Sequence, residues 1–151
     1  FEFSSLLKSY NHNNITSLEQ DIQFDKAVEF AMTVLESMKR SQEDFEEAND
    51  IVNNSFFFDN NHKIIELDKF TTHWASYING IKTPEIKAVV WEDLDDKNWK
   101  VRIPSKRIGS FELNGKALKQ DDSMEFVHSS GHFAIAQDEV SMQNFLSKQI
   151  K

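Results

Sequence analysis

The chain has no cysteine. It therefore holds no disulfide framework, no thiolate metal site and no cysteine nucleophile, and the lack fits a reducing compartment. Glycine and proline are scarce, at 4 and 2 of 151 residues. Few sharp turns can be made, which favours long regular elements. No glycine-rich turn links a strand to a helix, so neither a P-loop nor a dinucleotide-binding fingerprint is present. No stretch approaches the ~18 consecutive apolar residues of a membrane span, and no signal peptide is visible. The expectation is a cytoplasmic protein without a membrane partner. Basic residues are also in deficit: 17 Lys and Arg stand against 25 Asp and Glu, for a net charge of −8. Such a chain is a poor nonspecific binder of nucleic acid, although a local basic patch can still exist.

What is present is a globular composition, 39% apolar with 13 Phe, enough for one domain with a core and an appended helix. The chain opens on Phe1 rather than Met, and it is expected to be a fragment with a segment or domain missing upstream. Residues 1–15 carry an apolar cluster (Phe1, Phe3, Leu6, Leu7) and then a polar loop, Asn-His-Asn-Asn, at 11–14.

The clearest periodicity runs from 16 to 55. Leu18, Ile22, Ala27, Val28, Ala31, Val34, Leu35 and Met38, then Phe45, Ala48, Ile51 and Val52, fall at helical spacing. Thr16 or Ser17 can cap the start, with Glu19 or Gln20 completing a capping box. An unbroken helix of that length spans roughly 55–60 Å at 1.5 Å per residue. Either two helical segments, with a break near Lys39 to Gln42, or one bent helix is expected, and the pattern weights them equally. A coiled coil is the runner-up. Phe56, Phe57 and Phe58 read as an aromatic plug; three in a row cannot share one face, and at least one is expected to reach a neighbouring layer of the core.

Beyond 59 the elements shorten. Lys63–Leu67 alternates as a strand. Thr71 or Thr72 caps a short helix through Trp74 and Ile78. Ile86–Trp91 is nearly all apolar and reads as a central strand. Glu92–Asn98 is an acidic hairpin turn, and Trp99–Ile103 is the return strand, with Trp99, Val101 and Ile103 on one face and Lys100 and Arg102 on the other. Ser110–Leu113 suggests a short edge strand. Asp138 caps a last helix through Ile150. The expected fold is α+β: a mixed, largely antiparallel sheet of about five strands, helices packed on one face, and a long helix in front. The expected division is 1–58 as a helical segment leading from the missing upstream domain and 59–151 as the α+β domain.

Chemistry concentrates in Phe126–Gln137, two short strands joined by Ser129, Ser130 and Gly131, with His128 and His132 on either side. Gly131 can take positive φ and admit a ligand or another backbone. The blander alternative is a hairpin turn with incidental polar residues. Two histidines four apart would suit a metal on a helix, but here they fall around a turn, so no metal ligand is assigned. The acidic run Glu92, Asp93, Asp95 and Asp96 lacks calcium-loop spacing and reads as a solvated turn. Arg102, Lys106 and Arg107 form the one basic group. A phosphate site would require them to line one cleft with Ser129, Ser130 and Gly131; otherwise they are a solvated strand face.

Several stretches in series resemble the melanocyte proliferating gene family. Phe24-Asp25-Lys26-Ala27-Val28-Glu29-Phe30-Ala31 is similar to one of its helices. Ile64-Ile65-Glu66-Leu67-Asp68-Lys69-Phe70 resembles its strand ending in Asp-Lys-Phe, and Trp99-Lys100-Val101-Arg102-Ile103-Pro104 resembles its Trp-x-Val-x-x-Pro hairpin strand. Ser110–Leu113 and Phe126–Gly131 follow in the same order. That family is related to the DHH phosphoesterases, in which a metal-carrying amino half precedes a smaller substrate domain. The resemblance implies that this chain is the carboxyl half of a metal-dependent phosphohydrolase, a 3′–5′ exonuclease acting on RNA or nucleotides. It implies a divalent metal, Mn or Mg, in the missing amino-terminal catalytic domain and none in this chain, which alone would be inactive. It carries substrate-phosphate contact to Ser130, Gly131 and His132, with Ser129, Arg102 and Arg107 alongside. Where the family tends to have a second glycine pair, this chain has Ala134 and Ile135. A eukaryotic relative would also fit an organellar or nuclear location. The implied partners are the catalytic domain and single-stranded RNA or a nucleotide.

The reading from a different class is a noncatalytic interaction or scaffold domain, with the long helix docking on a partner or, as a dimer, on itself. The first reading requires the basic group and the Ser-Ser-Gly-His turn on one concave face. The second requires an exposed apolar stripe on the helix.

Overall fold

The computed structural model describes residues 2–10, 16–80 and 82–150. The loop expected at 11–14 lies outside them. The chain divides into two compact units, 1–44 and 45–151. The division falls inside a helix, not after Phe58.

In the first unit, α1 (Phe3–Lys8) precedes α2 (Ser17–Asn54). The α2 helix is continuous over 38 residues, about 57 Å at the standard rise, so the break near Lys39 to Gln42 does not occur. Nothing there obliges one: the stretch has neither Gly nor Pro. The capping box is formed, since the Thr16 amide donates to Glu19 Oε2 at 2.7 Å and the Glu19 amide donates to Thr16 Oγ1 at 3.3 Å. The Thr16 hydroxyl, which donates to Glu19 Oε2 at 2.7 Å, and then the Thr16 amide hold the Glu19 carboxyl below its ordinary pKa. One side of α2 meets α1 and the turn after it, with the Phe30 ring 6.3 Å from Phe3 and 6.1 Å from Tyr10. Phe24, Val28, Leu35 and Met38 stay exposed.

The second unit is a six-stranded sheet ordered β1-β2-β3-β4-β6-β5. Its strands are β1 (Phe56–Phe57), β2 (Ile64–Glu66), β3 (Ala88–Asp93), β4 (Asn98–Arg102), β5 (Phe126–Val127) and β6 (Phe133–Ala136). Only β2 and β3 pair in parallel. The class is α+β, as the sequence indicates.

Helices cover both faces of the sheet, not one. Ala88, Val90, Val101 and Ile103 pack with Met142, Phe145 and Leu146 of α4 (Glu139–Gln149). Val89 and Trp91 pack with Trp74 of α3 (Trp74–Tyr77), with Ile78 and with Ile51 from the end of α2. The reason lies in β3: Ala88 to Trp91 are all buried, and a strand apolar on both sides needs two covers. The alternation predicted for β4 is realised, because Trp99, Val101 and Ile103 share the α4 face.

The aromatic triplet is split, with one ring inward as expected and two outward. Phe56 and Phe57 are exposed on the edge strand, Phe57 stacking on His62, and only Phe58 reaches inward against Trp99. Leaving α2, the chain enters a strand whose alternating faces cannot all be covered. The strand expected at Ser110–Leu113 reduces to one bridge, Ser105 with Leu113. The acidic stretch is a turn, as read. Asp93 Oδ1 accepts from the Asp95 and Asp96 amides at 3.1 and 3.2 Å, and Asp93 and Asp96 flank Lys100 Nζ at 3.4 and 3.2 Å.

Candidate functional site

A cavity of about 670 Å³ opens beside the end of β4 and the start of β6. Three pieces of chain wall it. Arg102 and Ile103 come from the end of β4, and His128, Ser130 and His132 come from the β5–β6 turn. Ser105, Ser110, Phe111 and Leu113 come from the connection after β4, while Thr72, Trp74 and Ala75 close the side at α3.

The β5–β6 turn is built by backbone bonds. The His128 amide donates to the Phe133 carbonyl at 2.9 Å, and the Gly131 amide donates to the His128 carbonyl at 2.7 Å. Gly131 sits at φ +68 and is buried. A Cβ there would come within 2.7 Å of Ala117 Cβ and of the Leu118 backbone. The glycine thus serves close approach by another part of the chain, one of the two uses anticipated for it. Its amide is engaged and so is not a donor to a ligand.

The two imidazoles are strapped by one hydroxyl. The Ser130 amide donates to His128 Nδ1 at 3.2 Å, so that nitrogen is an acceptor and neutral His128 carries its proton on Nε2. Ser130 Oγ lies 2.9 Å from His128 Nδ1 and 2.5 Å from His132 Nδ1. In one tautomer the Ser130 amide and hydroxyl share the single lone pair of His128 Nδ1. The hydroxyl donates to His128 Nδ1 and accepts from the N–H at His132 Nδ1. His132 Nε2 is left with a lone pair, and no described residue bonds it. The rings meet edge to face, 4.5 Å between centroids. Burial, then the positive charge of Arg102, then His128, hold the His132 imidazole below its usual pKa.

Arg102 is the cation of the site. Lys106 pairs with Glu112 at 3.3 Å and Lys100 with Asp93 and Asp96, whereas the Arg102 guanidinium has no hydrogen-bond or ion-pair partner among the described residues. A half-buried guanidinium without a counter-ion, beside two imidazoles, makes the cavity electropositive in an acidic protein.

Of the residues singled out in the sequence, the cavity gathers Arg102, His128, Ser130 and His132. Arg107 and Ser129 are exposed and do not line it. The loop explains Arg107: its carbonyl is held from below by Ser105 Oγ, which donates at 2.8 Å, and by the Ser110 amide at 3.0 Å. Ser105, next to the basic group in sequence, lines the cavity; sequence reasoning missed Thr72, Ser110 and Phe111. Phe111 is 102% exposed at the cavity wall. Among the described residues no three His, Cys, Asp or Glu side chains gather as a metal set.

No protein-family model, curated protein or solved structure matches the chain.

Proposed function

We propose that the cavity binds a phosphate ester of a nucleotide or of single-stranded RNA, as the substrate-binding part of a metal-dependent phosphohydrolase whose metal and catalytic groups lie in another domain. The observation that carries the reading is Arg102, a cation without a counter-ion in the cavity that also presents His128, Ser130 and His132. A guanidinium offers paired donors that match phosphate oxygens. The free Nε2 of His132 can take a proton as a dianion approaches, without disturbing its Nδ1–H bond to Ser130, and so becomes a second charged donor. The Ser130 and Gly131 amides are already bonded within the turn. Recognition therefore runs through side chains, not through the backbone cradle that the family resemblance implied. Phe111, fully exposed at the wall of the cavity, gives a stacking surface for a base attached to that phosphate.

The test is binding of a short single-stranded oligoribonucleotide to the wild type and to Arg102→Gln, at low and moderate salt. Binding that weakens with salt, and weakens a further tenfold or more on substitution, supports the reading; a charge-assisted contact is worth about 1.5–3 kcal/mol. Equal binding by both proteins contradicts it.

A further inference from the structure

The first unit presents a surface that the cavity does not explain. Phe24, Val28, Ala31, Leu35 and Met38 follow one another at spacings of four, three, four and three along α2, the seam of a coiled coil. All but Ala31, which is half-buried, are exposed, Phe24 and Met38 by about two-thirds. The seam stops at Met38, because the next seam position is the polar Gln42 and the one after it, Phe45, has its ring against Tyr77 and His73 within the second unit. A seam of that spacing needs a helix opposite, and the charges beside it select which one.

We infer that α2 pairs with α2 of a second copy of this chain, antiparallel, about a two-fold axis near Met32. In that register Val28 lies against Met38 of the partner copy and Ala31 against Leu35. The flanking positions then set Asp25 opposite Lys39, twice by symmetry. These are the charged residues at the seam's edge, and their signs are complementary. Slipping one heptad the other way would put Asp21 into the seam against Met38. A parallel pair would bring Asp25 and Lys39 no opposite partner. None of the seam residues lines the cavity, so the inference does not rest on the proposed phosphate site.

Sedimentation equilibrium of the whole chain tests the inference, with circular dichroism as a check on folding. The wild type is expected to be a concentration-dependent dimer and Leu35→Glu a monomer of unchanged helix content. Asp25→Lys and Lys39→Asp should each weaken the dimer roughly twofold to twentyfold, and the double exchange should restore it. Because the chain has no cysteine, Met32→Cys gives a clean cross-link at the axis under oxidation, and Leu18→Cys should not. A wild type that stays monomeric, or a dimer that Leu35→Glu does not dissociate, overturns the inference. A double exchange that fails to restore, or cross-linking at Leu18→Cys instead of Met32→Cys, overturns the antiparallel register.

Discussion

The carbonyl of His132 accepts a hydrogen bond from the amide of Ile103 at 2.9 Å, one step beyond the Arg102–Phe133 pair of the β4–β6 ladder. Arg102 and His132 are thus placed relative to each other by sheet backbone and not by a loose loop. Two side chains far apart in sequence, a guanidinium and an imidazole, are delivered to one cavity by strand register. A preorganised pair of this kind binds without first ordering itself.

Phe111 should separate base from phosphate. Phe111→Ala is expected to lower affinity for a nucleoside monophosphate by about 1–3 kcal/mol, the usual loss when a stacking aromatic is removed, and to leave affinity for ribose 5-phosphate unchanged. Calorimetric titration with the two ligands checks this. An equal loss for both would mean that Phe111 shapes the cavity and does not stack on a base.

Gly131→Ala should be severely destabilising. The residue sits at φ +68, and its new Cβ would lie 2.7 Å from the Leu118 backbone, which cannot swing aside. The left-handed conformation costs about 1–2 kcal/mol and overpacking about 1–3 kcal/mol more. Denaturant unfolding followed by Trp fluorescence reads the loss directly. Stability within about 0.5 kcal/mol of wild type would mean that the turn and the 117–118 segment are not in contact.

Much of the second unit was legible because β strands write their faces into the sequence at period two. The Trp99, Val101 and Ile103 alternation fixed which way Arg102 points, and the unbroken apolar run at Ile86–Trp91 marked the central strand. The Asp138 cap was equally plain, and its carboxylate accepts from the Ser141 amide at 2.7 Å. Less legible was whatever depends on partners distant in sequence. Phe56 and Phe57 look like core residues locally, but the sheet edge leaves them uncovered. Lys106 and Arg107 look equivalent to Arg102 on a count of charge. The loop from Ser105 to Leu113 turns Arg107 away and gives Lys106 to Glu112. Gly131 signals a turn but not that 117–118 presses against it.

Glu66 gives a pH-dependent test of the sheet. Burial, then the negative charges of Glu139 and Glu92, push its carboxyl above the ordinary range. The native state therefore holds this proton more tightly than the unfolded chain does. The stability it contributes is full below the ordinary carboxylate pKa and is lost as pH rises through the raised value. Glu66→Gln should be more stable than wild type at pH 7, with the gap narrowing toward pH 4. Melting temperatures across that range check it. A variant less stable at pH 7 would show that the carboxylate makes a favourable contact that outweighs its desolvation.

His132 reports on the proposed site at a single atom. Its imidazole is held low by burial and by Arg102, so in the free protein charging it opposes the folded state, and stability falls as pH drops below the ordinary histidine value of about 6.5. A phosphate beside Nε2 favours the charged ring. The direct measurement is a histidine side-chain NMR titration with and without a nucleoside 5′-monophosphate, assigned with His132→Asn. The account predicts a His132 pKa below the ordinary value in the free protein that rises by about one unit or more when ligand is present, with tighter binding at pH 6 than at pH 8. A His132 pKa that does not move at ligand concentrations saturating for binding would place the phosphate elsewhere and contradict the account.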